Sequence, residues 1–224
     1  MKFSFAIVSV ALLLSASSHA EPLTPEHQLD SGPTEDVFAA AGPVVASSCS
    51  GHNVPSWLSN AGKFASSASA RLNSLNSMSE ASRKAAWDSG DETRWFGSYS
   101  NSRFGNVRSR MAKISSILQS SKLDVKCNFS KSNYGDANPG IYKIALGSLW
   151  RDDKGTADKV QTFVHEGAHI AGAVLGGEAR NKYGVSDALT RATKHPGTAV
   201  RTAENLGYYA ICRSTYWKGK GGCP

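Results

Sequence analysis

The segment Thr162-Phe163-Val164-His165-Glu166-Gly167-Ala168-His169-Ile170 decides how the rest of the chain is interpreted. His165 and His169 are four residues apart, so on a helix they lie one above the other on the same face. Two imidazoles in this arrangement can bind a single metal ion, and Glu166 stands beside them. The apolar residues around them recur at helical spacing, which predicts a mostly buried helix: Val160, Phe163, Val164, Ala168, Ile170, Ala171 and Val174.

The pattern His-Glu-x-x-His is typical of zinc metallopeptidases. Neutral imidazole nitrogens suit Zn²⁺, and two ligands from one helix leave positions for a third protein ligand and a water. The carboxylate of Glu166 can take a proton from that water. We therefore predict that His165 and His169 hold one zinc ion per chain and that Glu166 is a general base. A polar helix face without metal is the alternative, but a buried histidine pair beside a glutamate needs a partner.

The amino-terminal segment has the features of an export signal. Residues 1–20 contain Lys2, an apolar run from Phe3 to Leu14, and the small-x-small ending Ser18-His19-Ala20. Because the run is too short to span a bilayer, we expect a secreted or periplasmic protein without a stable membrane anchor. Residues 21–48 hold four prolines and no apolar period, and we interpret them as a propeptide or flexible arm. Residues 49–224 then form one metallopeptidase domain.

Charge and cysteine content narrow the class of protein further. The formal net charge is +7, but the basic residues are scattered and no aromatic-basic repeat occurs, so we do not expect a nucleic-acid partner. A protein or peptide substrate and a monomeric state are expected instead.

Four cysteines in an exported chain predict two disulfides with three possible connectivities, and the spacing favours Cys49–Cys127 and Cys212–Cys223. A cysteine zinc site is disfavoured because no Cys-x-x-Cys pair exists.

Hydrophobic periodicity predicts a mostly helical α+β fold with a small β-sheet beside the metal-binding helix. This arrangement resembles the zincins. That helix is expected to continue to Gly176-Gly177, since paired glycines end helices. The other predicted helices and strands are helices 56–78, 101–121, 186–193 and 197–211, and strands 123–129 and 141–146.

The chain resembles the peptidyl-Lys metalloendopeptidases and deuterolysins, the aspzincin family. The likeness is spread over most of the chain after the amino-terminal segment, in ordered blocks: Trp95-Phe96-Gly97-Ser98-Tyr99, Ser102-Arg103, Ile141-Tyr142, Leu149-Trp150, Val164-His165-Glu166-x-x-His169, Tyr183-Gly184 and Ala203-Glu204-Asn205-x-Gly207-Tyr208-Tyr209. Several ordered blocks are more specific than one motif. Cys49 and Cys127 also match a family pair.

This resemblance implies a zinc endopeptidase in which Tyr183 donates a hydrogen bond to the oxyanion of the tetrahedral intermediate. It also implies a role for Glu204, because lysine-specific members carry an acid there that accepts the substrate ammonium. The family's second acid, three positions on, is replaced by Gly207. A single carboxylate still favours a cation but selects less sharply, so lysine preference is a hypothesis. A packed turn tyrosine and a surface glutamate are the alternative interpretations.

The likeness breaks at the third zinc ligand. Family members place an aspartate three residues before the tyrosine, where this chain has Arg180, which cannot bind a cation. Glu178 lies nine residues after His169 and can supply an oxygen ligand, so we predict Glu178, with Asp187 and Glu204 as alternatives. Without a third ligand the protein would be a degenerate zinc-binding module. A secreted toxin or cell-wall peptide hydrolase is a further alternative, suggested by the basic surface and export.

Overall fold

The computed structural model describes residues 42–153, 155–173, 183–214 and Cys223. The elements of this part of the chain are β1 (Val44–Val45), α1 (Val54–Asn76), α2 (Glu80–Asp88), α3 (Asp91–Phe96), α4 (Asn101–Leu118), β2 (Asp124–Cys127), β3 (Gly135–Ala137), β4 (Lys143–Leu146), α5 (Ser148–Asp152), α6 (Thr156–Ile170), α7 (Val185–Lys194), α8 (Pro196–Ala199) and α9 (Ala203–Cys212). The α+β class with a small sheet is thereby confirmed.

Two long amphipathic helices form one side of the core. Helix α1 has Pro55 in its first turn, where a missing N–H costs nothing. Ser100 caps the start of α4, because its hydroxyl accepts a hydrogen bond from the Arg103 N–H at 3.2 Å. The predicted stripe of α4 is fully buried, from Phe104 to Leu118. Both predicted helices are confirmed, with ends within a few residues of those expected.

Helix α6 lies at the centre of the molecule and carries the two histidines. Its residues from Val160 to Ile170 are all buried, because α1, α4 and α9 pack around it and β3 covers another side. A Cβ at Gly167 would lie 3.1 Å from the Leu118 side chain, so this glycine lets α4 approach the helix closely. The histidines are therefore held on a rigid element inside the protein.

The sheet has the strand order β1-β2-β4-β3. Strands β1, β2 and β4 are parallel, and β3 runs antiparallel to β4 with Asp136 opposite Ala145. Strand β3 is thus an edge of the sheet. Val44 pairs with Asp124 and Val45 with Val125, so the residues just before Cys49 join the sheet, while the interpretation of residues 21–48 stays a prediction.

A buried carboxylate joins α3 to α1 and α9. Glu92 is fully buried, and its Oε1 accepts hydrogen bonds from Arg71 at 3.2 Å, from the Tyr209 hydroxyl at 2.8 Å and from Arg213 at 3.1 Å. The nearby Cys212 is bonded to Cys223, and Cys49 to Cys127, which confirms both expected disulfides. The hydrogen-bonded charges therefore hold α9 against α1 and α3, and the disulfide ties Cys223 to the end of α9.

Several predicted element boundaries were wrong. The short elements α2, α3, β3 and α5 were not predicted, and only Ser89-Gly90 separates α2 from α3. Helix α6 ends at Ile170 and does not continue to Gly176-Gly177, and the predicted helix 197–211 is divided into α8 and α9. No helix in the described residues is long and apolar enough to span a membrane.

Candidate metal centre

The two motif histidines converge on one point. Their Nε2 atoms lie 3.1 Å apart, with the ring planes at 77°, and both residues are buried. Two nitrogens bound to zinc at about 2.0–2.1 Å in a tetrahedral shell would be about 3.3 Å apart. The separation of the imidazoles therefore fits a shared zinc ion.

A carboxylate fixes the orientation of His165. The Nδ1 of His165 lies 2.9 Å from Oε2 of Glu204, which is itself buried on α9. Donation from Nδ1 to this oxygen leaves the lone pair of Nε2 free for a metal. Glu204 therefore lies behind His165, on the opposite side of the ring from the nitrogen that faces His169.

A glycine turn fixes the orientation of His169. Gly172 has φ +83° and ends α6 in a Schellman motif, with hydrogen bonds from the Gly172 N–H to the His169 carbonyl at 2.9 Å and from the Ala173 N–H to the Ala168 carbonyl at 2.8 Å. This turn brings the Ala173 carbonyl to 3.2 Å from Nδ1 of His169. With Nδ1 donating there, the Nε2 of His169 also has a free lone pair.

The electrostatics of the site shift the pKa values of the two histidines in opposite directions. Burial lowers the pKa of His165, but the hydrogen bond to Glu204 and the charges of Glu166 and Glu204 outweigh it, so the pKa is raised overall. Burial and the charge of His165 lower the pKa of His169 to about 4. The pKa of Glu204 is lowered, because hydrogen bonding to His165 and the imidazole charge overcome its burial.

Glu166 lies next to the edge strand β3. A Cβ built on Gly135 would lie 2.7 Å from Oε1 of Glu166 and 2.9 Å from its Cγ, so the strand passes the carboxylate where only glycine leaves room. Burial, together with the charges of Asp136 and Glu204, outweighs the charge of His165 and raises the pKa of Glu166 to about 7. A carboxyl with this pKa can both accept and release a proton near neutral pH.

Tyr183 lies beside the histidines at the surface. Its side chain is 57% exposed, and its ring centroid is 6.1 Å from that of His165. Burial and the charges of Glu204 and Glu166 raise its pKa, so the phenol stays protonated. The next residue, Gly184, donates its N–H to Oε1 of Glu204 at 2.6 Å, which ties the Tyr183 segment to α9.

The third ligand is not identified within the described residues. Glu178 and Arg180 lie outside them. Among the described residues, no group of three His, Cys, Asp or Glu side chains could hold a metal ion, so neither Asp187 nor Glu204 completes the histidine pair. The choice of Glu178 stays a prediction.

The structure adds residues to this site that the sequence did not suggest. Gly135 makes room for Glu166, and Gly172 sets the carbonyl that orients His169. The position of Gly172 two residues after Ile170 was an available signal for the end of α6, whereas Gly135 belongs to a three-residue strand without apolar alternation.

The chain is similar in sequence to known metallo-endopeptidases. Residues 81–211 match the family model described as lysine-specific metallo-endopeptidase, the aspzincins. A peptidyl-Lys metalloendopeptidase of Pleurotus ostreatus is 32% identical over 122 residues, which are 53% of this chain and 71% of that protein. An extracellular protease of Aeromonas hydrophila is 29% identical over 119 residues, which are 52% of this chain and 34% of that protein.

A solved structure shows the same fold. The zinc peptidase from Grifola frondosa superposes with a TM-score of 0.57 and 23% sequence identity, and the match covers 71% of this chain and 93% of that one. This likeness and the α+β architecture confirm the expected zincin-like fold.

Proposed function

This chain belongs to the aspzincin family of zinc-dependent metallo-endopeptidases, and from that premise we propose that it cuts internal peptide bonds of proteins outside the cytoplasm, with a preference for lysine. The observation that carries the proposal is the convergence of the two Nε2 atoms at 3.1 Å beside buried Glu166. The names of two relatives support the proposal. One is a peptidyl-Lys metalloendopeptidase, which supports the lysine preference, and the other is an extracellular protease, which supports the location.

We propose that His165 and His169 hold one zinc ion per chain and that Glu178 supplies a third ligand. Zinc bound there would supply Lewis acidity to water and to the scissile carbonyl. Glu178 is favoured because the described alternatives, Asp187 and Glu204, do not complete the pair. Residues 1–20 would direct export, and residues 49–224 would form a monomeric catalytic domain without a nucleic-acid partner.

Groups of the chain itself would transfer the proton, stabilise the oxyanion and hold the substrate. Glu166, with a pKa of about 7, would accept a proton from the attacking water and pass it to the leaving amine. Tyr183, kept protonated, would donate a hydrogen bond to the negative charge that develops on the scissile carbonyl oxygen. The exposed edge of β3 runs directly past Glu166 and would hold the substrate backbone as an added strand.

In this assignment Glu204 would be a positioning residue. Its two carboxylate oxygens are already bonded to His165 and to the Gly184 N–H, so it joins the metal helix to the Tyr183 segment. Such carboxylate–histidine contacts fix the tautomer and raise the basicity of the ligand.

The substitution Glu166→Gln tests the proposal. It keeps the size of the side chain but removes the proton acceptor, so peptide cleavage should stop while the zinc content stays near one per chain. Cleavage of casein or of a fluorogenic peptide, measured beside metal analysis, gives both values. Activity that persists in this variant would remove Glu166 from the mechanism.

A further inference from the structure

A pair of carboxylates lies at the start of α6, two turns before His165. Asp153 precedes the helix and Asp158 is in its first turn. A Cβ at Gly155 would lie 2.6 Å from Oδ2 of Asp158 and 3.0 Å from Oδ1 of Asp153, so both carboxylates share the space in front of this glycine. The Gly155 N–H donates to Asp153 at 2.5 Å.

Neither carboxylate forms an ion pair in the described part of the chain, and the hydroxyl of Tyr134 is hydrogen-bonded to Asp153. The nearby Lys159 is directed elsewhere, with its ammonium on the Arg151 carbonyl at 3.2 Å and over the Trp150 ring. Burial and the charges of Asp153 and Glu204 raise the pKa of Asp158, as expected of an uncompensated acid. The pair would be stabilised by a cation.

Tyr208 lies on the side of α9 that approaches Asp158. Glu204 lies opposite His165 and Gly207 opposite Gln161, so α9 runs antiparallel to α6 and Tyr208 comes one turn after Glu204, towards Asp158. Tyr208 is 7% exposed and stacks on Trp95 with ring centroids 5.5 Å apart. Its hydroxyl has no hydrogen-bond partner among the described residues, and burial and the charges of Glu204, Asp158 and Asp153 raise its pKa.

Glu204 is less available to a cation than Asp158 is. It is the acid that the family resemblance suggests for substrate binding, but both of its oxygens already accept hydrogen bonds. His165 and the Gly184 N–H occupy its oxygens at 2.9 Å and 2.6 Å. A side chain at Gly207 is excluded as well, because its Cβ would lie 2.8 Å from the amide nitrogen of Gln161. Any strong preference for a basic substrate therefore needs another source of negative charge.

We propose that Asp158, with Asp153 and Tyr208, binds the basic side chain of the substrate residue next to the cleaved bond. The proposal rests on the proposed peptidase function and names the residues that determine its specificity. Three acceptors from three different elements suit an ammonium, which has three divergent donors, better than a planar guanidinium, so lysine is favoured over arginine. Asp158 is seven residues before His165, about 10 Å along the helix axis, which a long side chain beside the metal can span.

The test compares peptides that differ only in one residue beside the scissile bond, which is lysine, arginine or norleucine. The wild-type protein should give its highest kcat/KM with lysine. Asp158→Asn should lower the value for lysine about tenfold, the loss of one charge-assisted hydrogen bond, and leave the norleucine value within about twofold. Asp152→Asn is the matched control, because Asp152 is an exposed neighbour paired with Arg151, and it should change neither value.

Equal losses for lysine and norleucine in Asp158→Asn, or equal wild-type rates for the two peptides, would overturn the proposal. Tyr208→Phe provides a second variant, which should lower the lysine value alone and retain the zinc content and the Tm.

A binding measurement separates this proposal from the proposed function. In the Glu166→Gln background, calorimetry should show that Asp158→Asn weakens binding of the lysine peptide about tenfold. Unchanged affinity would refute the pocket whether or not the wild-type protein cleaves peptides.

Discussion

The substitution Gly135→Ala should reduce activity without removing the metal. The added Cβ would lie 2.7 Å from Oε1 of Glu166, 2.9 Å from Cγ and 3.0 Å from Cδ, and the first two distances are shorter than real Cβ atoms show. The buried carboxylate cannot yield easily, so either Glu166 or strand β3 must shift by several tenths of an ångström. A displacement approaching 1 Å of a catalytic group lowers kcat by about 100-fold, and overpacking costs about 1–3 kcal/mol of stability.

The assay is kcat on a fluorogenic peptide, with zinc content and urea unfolding measured on the same preparations. Gly105→Ala is the control, because nothing lies within 4 Å of its added Cβ and α4 should tolerate alanine. We expect the control to keep full activity and Gly135→Ala to keep its zinc. If Gly135→Ala cleaved peptides at the wild-type rate, the placement of Glu166 against the edge strand would be wrong.

Two further substitutions test other parts of the structure. Glu204→Ala removes the acceptor behind His165, and zinc affinity should fall about 10- to 100-fold in a chelator competition; unchanged affinity would exclude the positioning role. Glu92→Ala leaves Arg71, Arg213 and the Tyr209 hydroxyl without their shared acceptor and should lower the free energy of unfolding by about 3 kcal/mol in a urea titration. A loss below about 1 kcal/mol would show that solvent satisfies these donors.

The long elements of the fold were predictable because their residues carry a regular apolar period. The apolar stripe of α1, from Leu58 to Leu75, is also its buried face, and the same holds for the stripe of α4, from Phe104 to Leu118. The short elements were missed because they are defined by tertiary contacts. Strand β3, with the sequence Gly-Asp-Ala, has no alternation of its own and exists by pairing with β4. Helices α2 and α3, on either side of Gly90, were also missed, and they are held in place by burying Trp87 and Glu92.

The site was predictable only in part. The spacing of His165 and His169 predicted one face of one helix, and the structure brings their Nε2 atoms together. The role of Glu204 needed the fold, because the contact with His165 joins residues 39 positions apart and the sequence alone left the acid as either a ligand or a substrate contact. The end of α6 was placed too late, since a single glycine at 172 in the left-handed conformation stops the helix before the paired glycines.

The zinc environment itself tests the central claim most directly. X-ray absorption spectroscopy and metal analysis of the zinc-loaded protein, together with His169→Ala, would measure which groups bind the ion. The account predicts one zinc per chain with two imidazole nitrogens at about 2.0–2.1 Å, and loss of stoichiometric zinc in the variant. A full equivalent of zinc bound without imidazole, or retained unchanged by His169→Ala, would contradict it.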